Sequence, residues 1–474
     1  MIYSDNAYIA KWNLAPELDL VIKNGTVVTD SEIFQADIGV EGGVICQIGR
    51  SIQADEARTI NADGKIVIPG GIDGHTHFGY VSTDDFESGT RSAAGGGTTT
   101  VINFARHLEG KSLMQSLEEF RKMADPKVVV DYSAHAYIRF PSQAVFDEIG
   151  KMVEAGIPSF KVAMTHRKEG FMLDDGAIVS VMQKVAEHGA LLGIHCENNP
   201  IIEHFEERLL NEGKRSVKYF GESRPIMAEV EAIRRALTLA EFAGVSMYVV
   251  HISTHLGVEA VAQAANRGVR VFCETCPHFL VFTDEAYSGP NGEYFVMTPP
   301  LRKKEDVRAI WEGLQNGKVK TVASDHATFS SERKLEGRRQ NDFTKVPHGV
   351  TGTGVIIPVL YSEGVVRGRL SLTRLVQVTS YNPARLFGLY PQKGTIAVGS
   401  DADLVVLDPK KKVRLSAENL HSNLDHSIYD QITCQGYPST VLSRGEVVFD
   451  GENVIARGGR GTFLTGKLIQ EVAA

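Results

Sequence analysis

SFKVAM (159–164), DGAIVSVMQKVAEHG (175–189) and ALLGIHC (190–196) follow one another in the chain. The outer two are short apolar runs of strand type, and the middle one is an amphipathic helical stretch. Continuous apolar strands separated by such helices predict a parallel sheet covered on both faces. The pattern extends outward in both directions. Further strands are read at 66–70, 99–104, 128–138, 246–253, 269–276 and 319–325. Helical stretches such as SLMQSLEEFRKMA (112–124) and EVEAIRRALTLAEFAG (229–244) lie between them. Eight strands in this alternation predict a (β/α)8 TIM-like barrel of the α/β class. An open doubly wound sheet is the alternative, but the Gly-rich dinucleotide loop it carries after its first strand is missing.

The two ends read differently. DLVIKNGTVV (19–28), ADIGVEGGVICQIG (36–49) and RTINADGKIVIP (58–69) are β-type runs, with Asn24-Gly25 and Gly42-Gly43 marking tight turns. GTIAVGSDADLVVLD (394–408) and STVLSRGEVVFDGENV (439–454) match them at the far end. The expectation is a small β-sandwich domain built from both ends, 1–66 and 393–474, with a catalytic barrel, 67–392, inserted between them. Residues 1–17 read as loose, and the tail 457–474 reads as an exchange arm or a disordered segment.

Composition excludes several classes. The chain has 474 residues, 43% hydrophobic and 23% charged, which is ordinary for a globular protein. A net charge of −8 without a basic block argues against nucleic acid or an anionic membrane as partner. The N-terminal stretch shows no secretory pattern, and no apolar run approaches the ~18 residues of a membrane span. Five scattered cysteines predict a reduced, cytoplasmic chain. Cys273-Glu-Thr-Cys276 has redox spacing but no thioredoxin-like context, so two ordinary buried thiols are the competing reading.

Chemistry gathers at the C-terminal strand ends, where barrel active sites sit. The first strand ends in Gly74-His75-Thr76-His77, the fourth carries Lys161, the fifth His195, the sixth His251 and the eighth Asp325. His75 and Asp325 are 250 residues apart, about one barrel. Two histidines at i and i+2 on an extended segment face one side and can share a metal, although an exposed turn gives the same spacing. Lys161 lies in a strand suited to burial, where an unpaired ammonium is costly. Three readings stand: an ion pair with a carboxylate, a substrate-binding cation, or carboxylation by CO2. A carboxylated Lys161 could bridge two divalent ions, with His75, His77 and Asp325 on one and His195 and His251 on the other. Imidazole and carboxylate donors suit Zn2+, with Mn2+, Co2+ and Fe2+ as alternatives.

This constellation resembles the cyclic amidohydrolases, in their dihydropyrimidinase/hydantoinase branch. The matching stretches are PGGIDGHTHF (69–78), AGGGTTTVINFA (94–105), SFKVAM (159–164), GIHCEN (193–198), VVHIST (249–254) and CETCPHFL (273–280). TPPLR (298–302), ASDHATF (323–329), DFTKVPHG (342–349) and KGTIAVGSDADLVVLDP (393–409) complete them. The resemblance implies a binuclear zinc centre held by His75, His77, carboxylated Lys161, His195, His251 and Asp325. It implies attack by a metal-bridging hydroxide on a ring amide carbon, with Asp325 as general base and then acid. A dihydropyrimidine or hydantoin ring would open to an N-carbamoyl amino acid. It also implies a homotetramer with a small cyclic amide as its only other partner.

Three pocket positions depart from that family. His166 stands where relatives carry a tyrosine thought to stabilise the oxyanion. It either donates a hydrogen bond in that role or points elsewhere. His348 replaces an asparagine and Thr298 a serine, at places where the family contact with substrate is largely through backbone. Added histidines make a more polar or anionic substrate conceivable. Phe78 and Tyr80, in the loop 78–88, are expected to shape the pocket; Arg302 and Glu274 are either substrate contacts or structural ion pairs. Competing functions are an allantoinase or other ureide or imide hydrolase, a mononuclear deaminase on the same fold, and an inactive structural or signalling relative that has lost its metal ligands.

Overall fold

The computed structural model describes residues 17–53, 56–80 and 82–469. Five strands come first: β1 (Leu20–Val28), β2 (Ile33–Glu41), β3 (Val44–Gly49), β4 (Arg58–Asn61) and β5 (Ile66–Pro69). Eight more follow: β6 (Gly71–Thr76), β7 (Thr98–Arg106), β8 (Asp131–Tyr137), β9 (Ser159–Ala163), β10 (Leu191–His195), β11 (Ser246–Val249), β12 (Val271–Thr275) and β13 (Thr321–Val322). The last three are β14 (Leu404–Arg414), β15 (Thr433–Ser443) and β16 (Glu446–Phe449).

β6 to β13 form one sheet in chain order, and the paired strands run parallel. The seam closes beyond β13, where His326 bridges Thr76 and accepts a hydrogen bond from the His77 N–H at 2.9 Å. Asp73 fixes the same seam by accepting from the Ser324 and His75 amides. The helices between strands follow the sequence pattern. Asp174 caps Asp175–Glu187 by accepting from the Ala177 N–H, and Ile178, Val181, Met182 and Val185 turn the buried face inward.

The remaining eight strands form a second sheet in the order β16-β15-β14-β5-β1-β2-β3, with β4 beside β1. Its own apolar core includes Ile22, Ile38, Val67, Leu404 and Leu442, drawn from both ends of the chain.

Three expectations need correction. The run 66–70 is not the first barrel strand. Ile66–Pro69 pairs with β1 and β14 in the terminal sheet, and the barrel begins at Gly71. At Gly70 a Cβ would meet Thr99 Oγ1 at 2.1 Å, so only glycine fits the crossing between the sheets. Asn24-Gly25 is not a turn between strands. It is a bulge inside β1, with Asn24 at φ 63° and the register to β2 shifting between Ile22 and Gly25. The tail is neither an exchange arm nor disordered as far as Ile469. Phe463 bridges Tyr132, Leu464 N–H donates to Tyr132 O at 2.7 Å, and Gly466 N–H donates to Gly156 O at 2.8 Å, so it lies along the base of its own barrel. Residues 1–16 and 470–474 fall outside the described residues.

A buried ion cluster ties that base to the terminal sheet. Lys393 Nζ meets Asp131 at 2.6 Å, Asp401 at 2.9 Å and Asp403 at 2.8 Å. Arg444 Nε also reaches Asp131, at 3.1 Å. All five cysteines are free; Cys273 and Cys276 are buried thiols, and burial pushes Cys273 up to about 12.

Candidate active site

Opposite that base, a cavity of about 510 Å³ opens at the C-terminal strand ends. Its lining includes His75, His77, Lys161, His195, His251 and Asp325, together with His166, Thr298 and His348. Five barrel segments supply the six expected metal donors directly from strands or one to three residues past them. His251 and Asp325 lie beyond their strands in left-handed conformations, φ 38° and 49°, and His166 does the same at 64°. Such backbone costs ~1–3 kcal/mol per residue, and it persists where surrounding structure holds a side chain in a required place.

His75 Nε2, His77 Nε2 and Asp325 Oδ1 converge at 3.1–3.2 Å from one another. Donors on a tetrahedral ion with ~2.0–2.1 Å bonds stand about 3.3 Å apart, so this triangle fits one divalent metal. Glu274, fully buried, fixes its orientation. It receives His75 Nδ1 at 2.5 Å, the Tyr248 hydroxyl at 2.7 Å and the His251 amide at 3.1 Å. Burial lowers the His75 pKa, but Glu274 and Asp325 outweigh it and raise the ring to about 9. Burial opposes ionisation of Asp325 as well, yet His75 and His77 hold its carboxyl well below the usual range.

The second donor group sits beside this triangle. The His195 and His251 rings are 4.4 Å apart, and His251 lies 5.3 Å from His75. His195 Nε2 is engaged by Glu197 at 2.8 Å, which leaves Nδ1 as its free donor. Lys161 is buried and meets no carboxylate at ion-pair distance among the described residues. Burial lowers its amine to about 8. The ion-pair reading of Lys161 is therefore not what this fold builds.

His166 Nε2 stands 3.3 Å from Thr298 Oγ1, and its ring is 5.2 Å from His195 and 6.1 Å from His348. It points into the cavity rather than away. Lys334 holds the roof: its buried ammonium donates to Val296 O at 2.7 Å and Pro347 O at 2.9 Å, tying the Thr298 and His348 loops together. Phe78 does not shape the cavity; it is buried against Phe86 and His326. Tyr80 instead carries Arg106 on its ring. Arg302 pairs with Glu229 at 3.0 Å in the interior, a structural ion pair. Sequence reasoning missed Arg106, Tyr137, Glu169 and Phe171 on the cavity wall. The signal for Arg106 was available, since β7 runs two residues beyond the expected end at Phe104.

The model of the amidohydrolase family matches residues 66–448. The chain belongs to this family. Among amidohydrolases it is similar to a D-hydantoinase of Geobacillus stearothermophilus, 40% identical over 452 residues, with 94% of this chain and 96% of the relative covered. The crystal structure of dihydropyrimidinase from Brevibacillus agri NCHU1002 matches with a TM-score of 0.92 at 38% identity, over 95% of this chain and 99% of that one. L-Hydantoinase from Arthrobacter aurescens matches at 0.89 and 35%, over 94% and 100%. The amidohydrolase barrel and terminal sheet are thus those of the hydantoinase and dihydropyrimidinase branch. No described helix is long and apolar enough to cross a membrane.

Proposed function

We propose that this amidohydrolase hydrolyses a ring amide bond of a cyclic amide or imide, opening a hydantoin or dihydropyrimidine ring to an N-carbamoyl amino acid. The observation that carries the reading is the convergence of four histidines, Lys161 and Asp325 on one cavity of a hydantoinase-like barrel. The donor set fits two divalent ions, most simply Zn2+. The His75–His77–Asp325 triangle would hold one, and His195 Nδ1 with His251 would hold the other. Lys161, carboxylated at Nζ by CO2, would complete the set as a shared anionic ligand. Its lack of a carboxylate partner and its lowered pKa support this, because only the neutral amine reacts with CO2. When bound, the ions supply Lewis acidity to the scissile carbonyl and activate the attacking water.

The chain's own groups do the rest. Asp325, ionised at ordinary pH, accepts the proton of the attacking water and returns it to the departing ring nitrogen. His166, steadied by Thr298, donates to the carbonyl oxygen as negative charge develops there. His348 and the Thr298 loop position the ring, and the Lys334 strut keeps their spacing. We assign the chemistry to the barrel, which begins at Gly71, and a supporting role to the terminal sheet that flanks it. A homotetramer in the cytoplasm completes the reading; five free cysteines fit a reducing compartment.

Zinc-loaded protein assayed on dihydrouracil, hydantoin, a 5-aryl hydantoin, allantoin and a dicarboximide tests the activity. Turnover of the first three, lost in Lys161→Ala, is the expected result. Turnover of allantoin alone would replace this reading with a ureide hydrolase. Metal analysis and mass spectrometry of Lys161 test the centre, and light scattering tests the tetramer.

A further inference from the structure

One cation in the cavity has no use in opening a neutral ring. Arg106 is the last residue of β7 and lines the same cavity as the metal donors. Phe104, two residues earlier, packs on the His77 and His75 rings, each at 4.8 Å. Residues two apart on a strand face the same side, about 7 Å further along, so Arg106 stands one step outward from the metal donors. Its guanidinium lies over Tyr80 at 4.4 Å and near Phe171 at 5.5 Å. Arg139 covers Phe171 at 4.4 Å and holds the carbonyls of Glu169 and Gly170, which fixes this wall.

Arg106 Nε is buried without a hydrogen-bond partner, and no carboxylate reaches the guanidinium at ion-pair distance among the described residues. Burial lowers its pKa, a sign that the fold itself does not compensate the charge. Lys345 and Arg333 line the outer cavity on the side of the DFTKVPHG loop. Apart from Asp325, the cavity's carboxylate is Glu169, which turns to His166 at 3.8 Å. A guanidinium stacked on an aromatic face keeps its planar N–H edge open, and that edge matches a carboxylate in a two-point contact.

We infer that the substrate's ring carries a carboxylate-terminated substituent and that Arg106 binds this group. The inference rests on the ring-opening reading above and narrows its substrate class to anionic cyclic ureides. The ring occupies the metal donors, the substituent runs outward along β7 past Phe104, and the carboxylate meets Arg106 between Tyr80 and Phe171. Ring opening then delivers an N-carbamoyl derivative of an acidic amino acid.

The test compares 5-(2-carboxyethyl)hydantoin with its side-chain amide, 5-(2-carbamoylethyl)hydantoin, a neutral compound of nearly equal shape, and with unsubstituted hydantoin. Metal-loaded wild type should favour the acid over the amide by ~10-fold or more in kcat/KM, chiefly through KM. Arg106→Leu should bring that ratio to one or below, and Arg106→Lys should retain part of it. Calorimetric binding of the two ring-opened products reads the same preference without turnover. Rings opened with no preference for the acid, or a preference that survives in Arg106→Leu, would overturn the assignment while leaving the ring-opening function intact. No ring opened, with product binding still favouring the acid and depending on Arg106, would instead remove the proposed reaction and keep the anion site. No ring opened and no charge preference in binding would remove both.

Discussion

Lys161 at the barrel mouth and Lys393 at its base are both buried, 3% and 1% exposed. Lys393 is met by three carboxylates, and although burial opposes its charge, Asp403, Asp131 and Asp401 outweigh that and raise its pKa. Lys161 is met by none at contact distance, and burial wins. One is a tie between two sheets whose charge is compensated within the fold. The other is an amine whose chemistry the fold leaves unfinished. Burial alone does not separate a structural lysine from a reactive one; the inventory of partners does.

Changes at each end of the barrel should therefore fail in different ways. Lys161→Ala is expected to lower ring opening by at least ~10³-fold, about 4 kcal/mol of transition-state stabilisation, and to deplete bound metal. Its unfolding midpoint should move little. Turnover within tenfold of wild type would erase the distinction. Lys393→Met leaves the Asp131, Asp401 and Asp403 carboxylates buried with their cation removed. A loss of ~3–5 kcal/mol in denaturant unfolding is expected, with kcat per folded molecule unchanged. A stability loss under ~1 kcal/mol would mean that Arg444 alone carries the cluster.

Glu274→Gln probes the support of the mouth rather than its ligands. Losing the charged partner of His75 should weaken metal binding ~10–100-fold, read by competition with a chelator. The acid limb of stability tests a third buried pair. His326 Nδ1 accepts from the Gly352 and Thr353 amides, so its proton is on Nε2 and faces Asp84 at 3.0 Å. Burial would raise Asp84, but His326, Ser422 and the Asn423 amide hold it well below the usual carboxylate range. A depressed carboxyl adds stability that is fully present above about pH 4 and is lost as pH falls toward its folded value. Asp84→Asn should be less stable at neutral pH and flatter below pH 4; an unchanged acid slope would assign that limb elsewhere. The smallest effect belongs to His348→Asn, within about threefold in kcat/KM, since the loop backbone is held by Lys334.

The barrel, and the gathering of His75, His77, Lys161, His195, His251 and Asp325 on one cavity, were legible because strand period, helix period and residue spacing all point to one strand-end face. His251 and Asp325 could be placed at the mouth, though not their left-handed backbone, which sequence does not display. The 66–70 run misled because one apolar stretch serves two sheets, and only the crowding of Gly70 against Thr99 marks the division. Phe78 misled because a loop aromatic beside a ligand reads as pocket lining, whereas Phe86 and His326 draw it inward. Partnering was the least legible property. Arg106, Lys161, Lys334 and Lys393 look alike as letters, and only packing shows which have carboxylates, which have carbonyls and which have neither.

The terminal sheet places β5 directly against β14, with Pro69 opposite Leu404. When the chain is synthesised, β5 leaves the ribosome about 335 residues before its partner exists. At ~5–20 residues per second that interval is tens of seconds, during which one edge of β5 is open to any passing strand. The barrel can assemble in that window, but the sheet that flanks it cannot. Expression yield should then depend less on the codons of the barrel than on how quickly those from Leu404 to Phe449 are read.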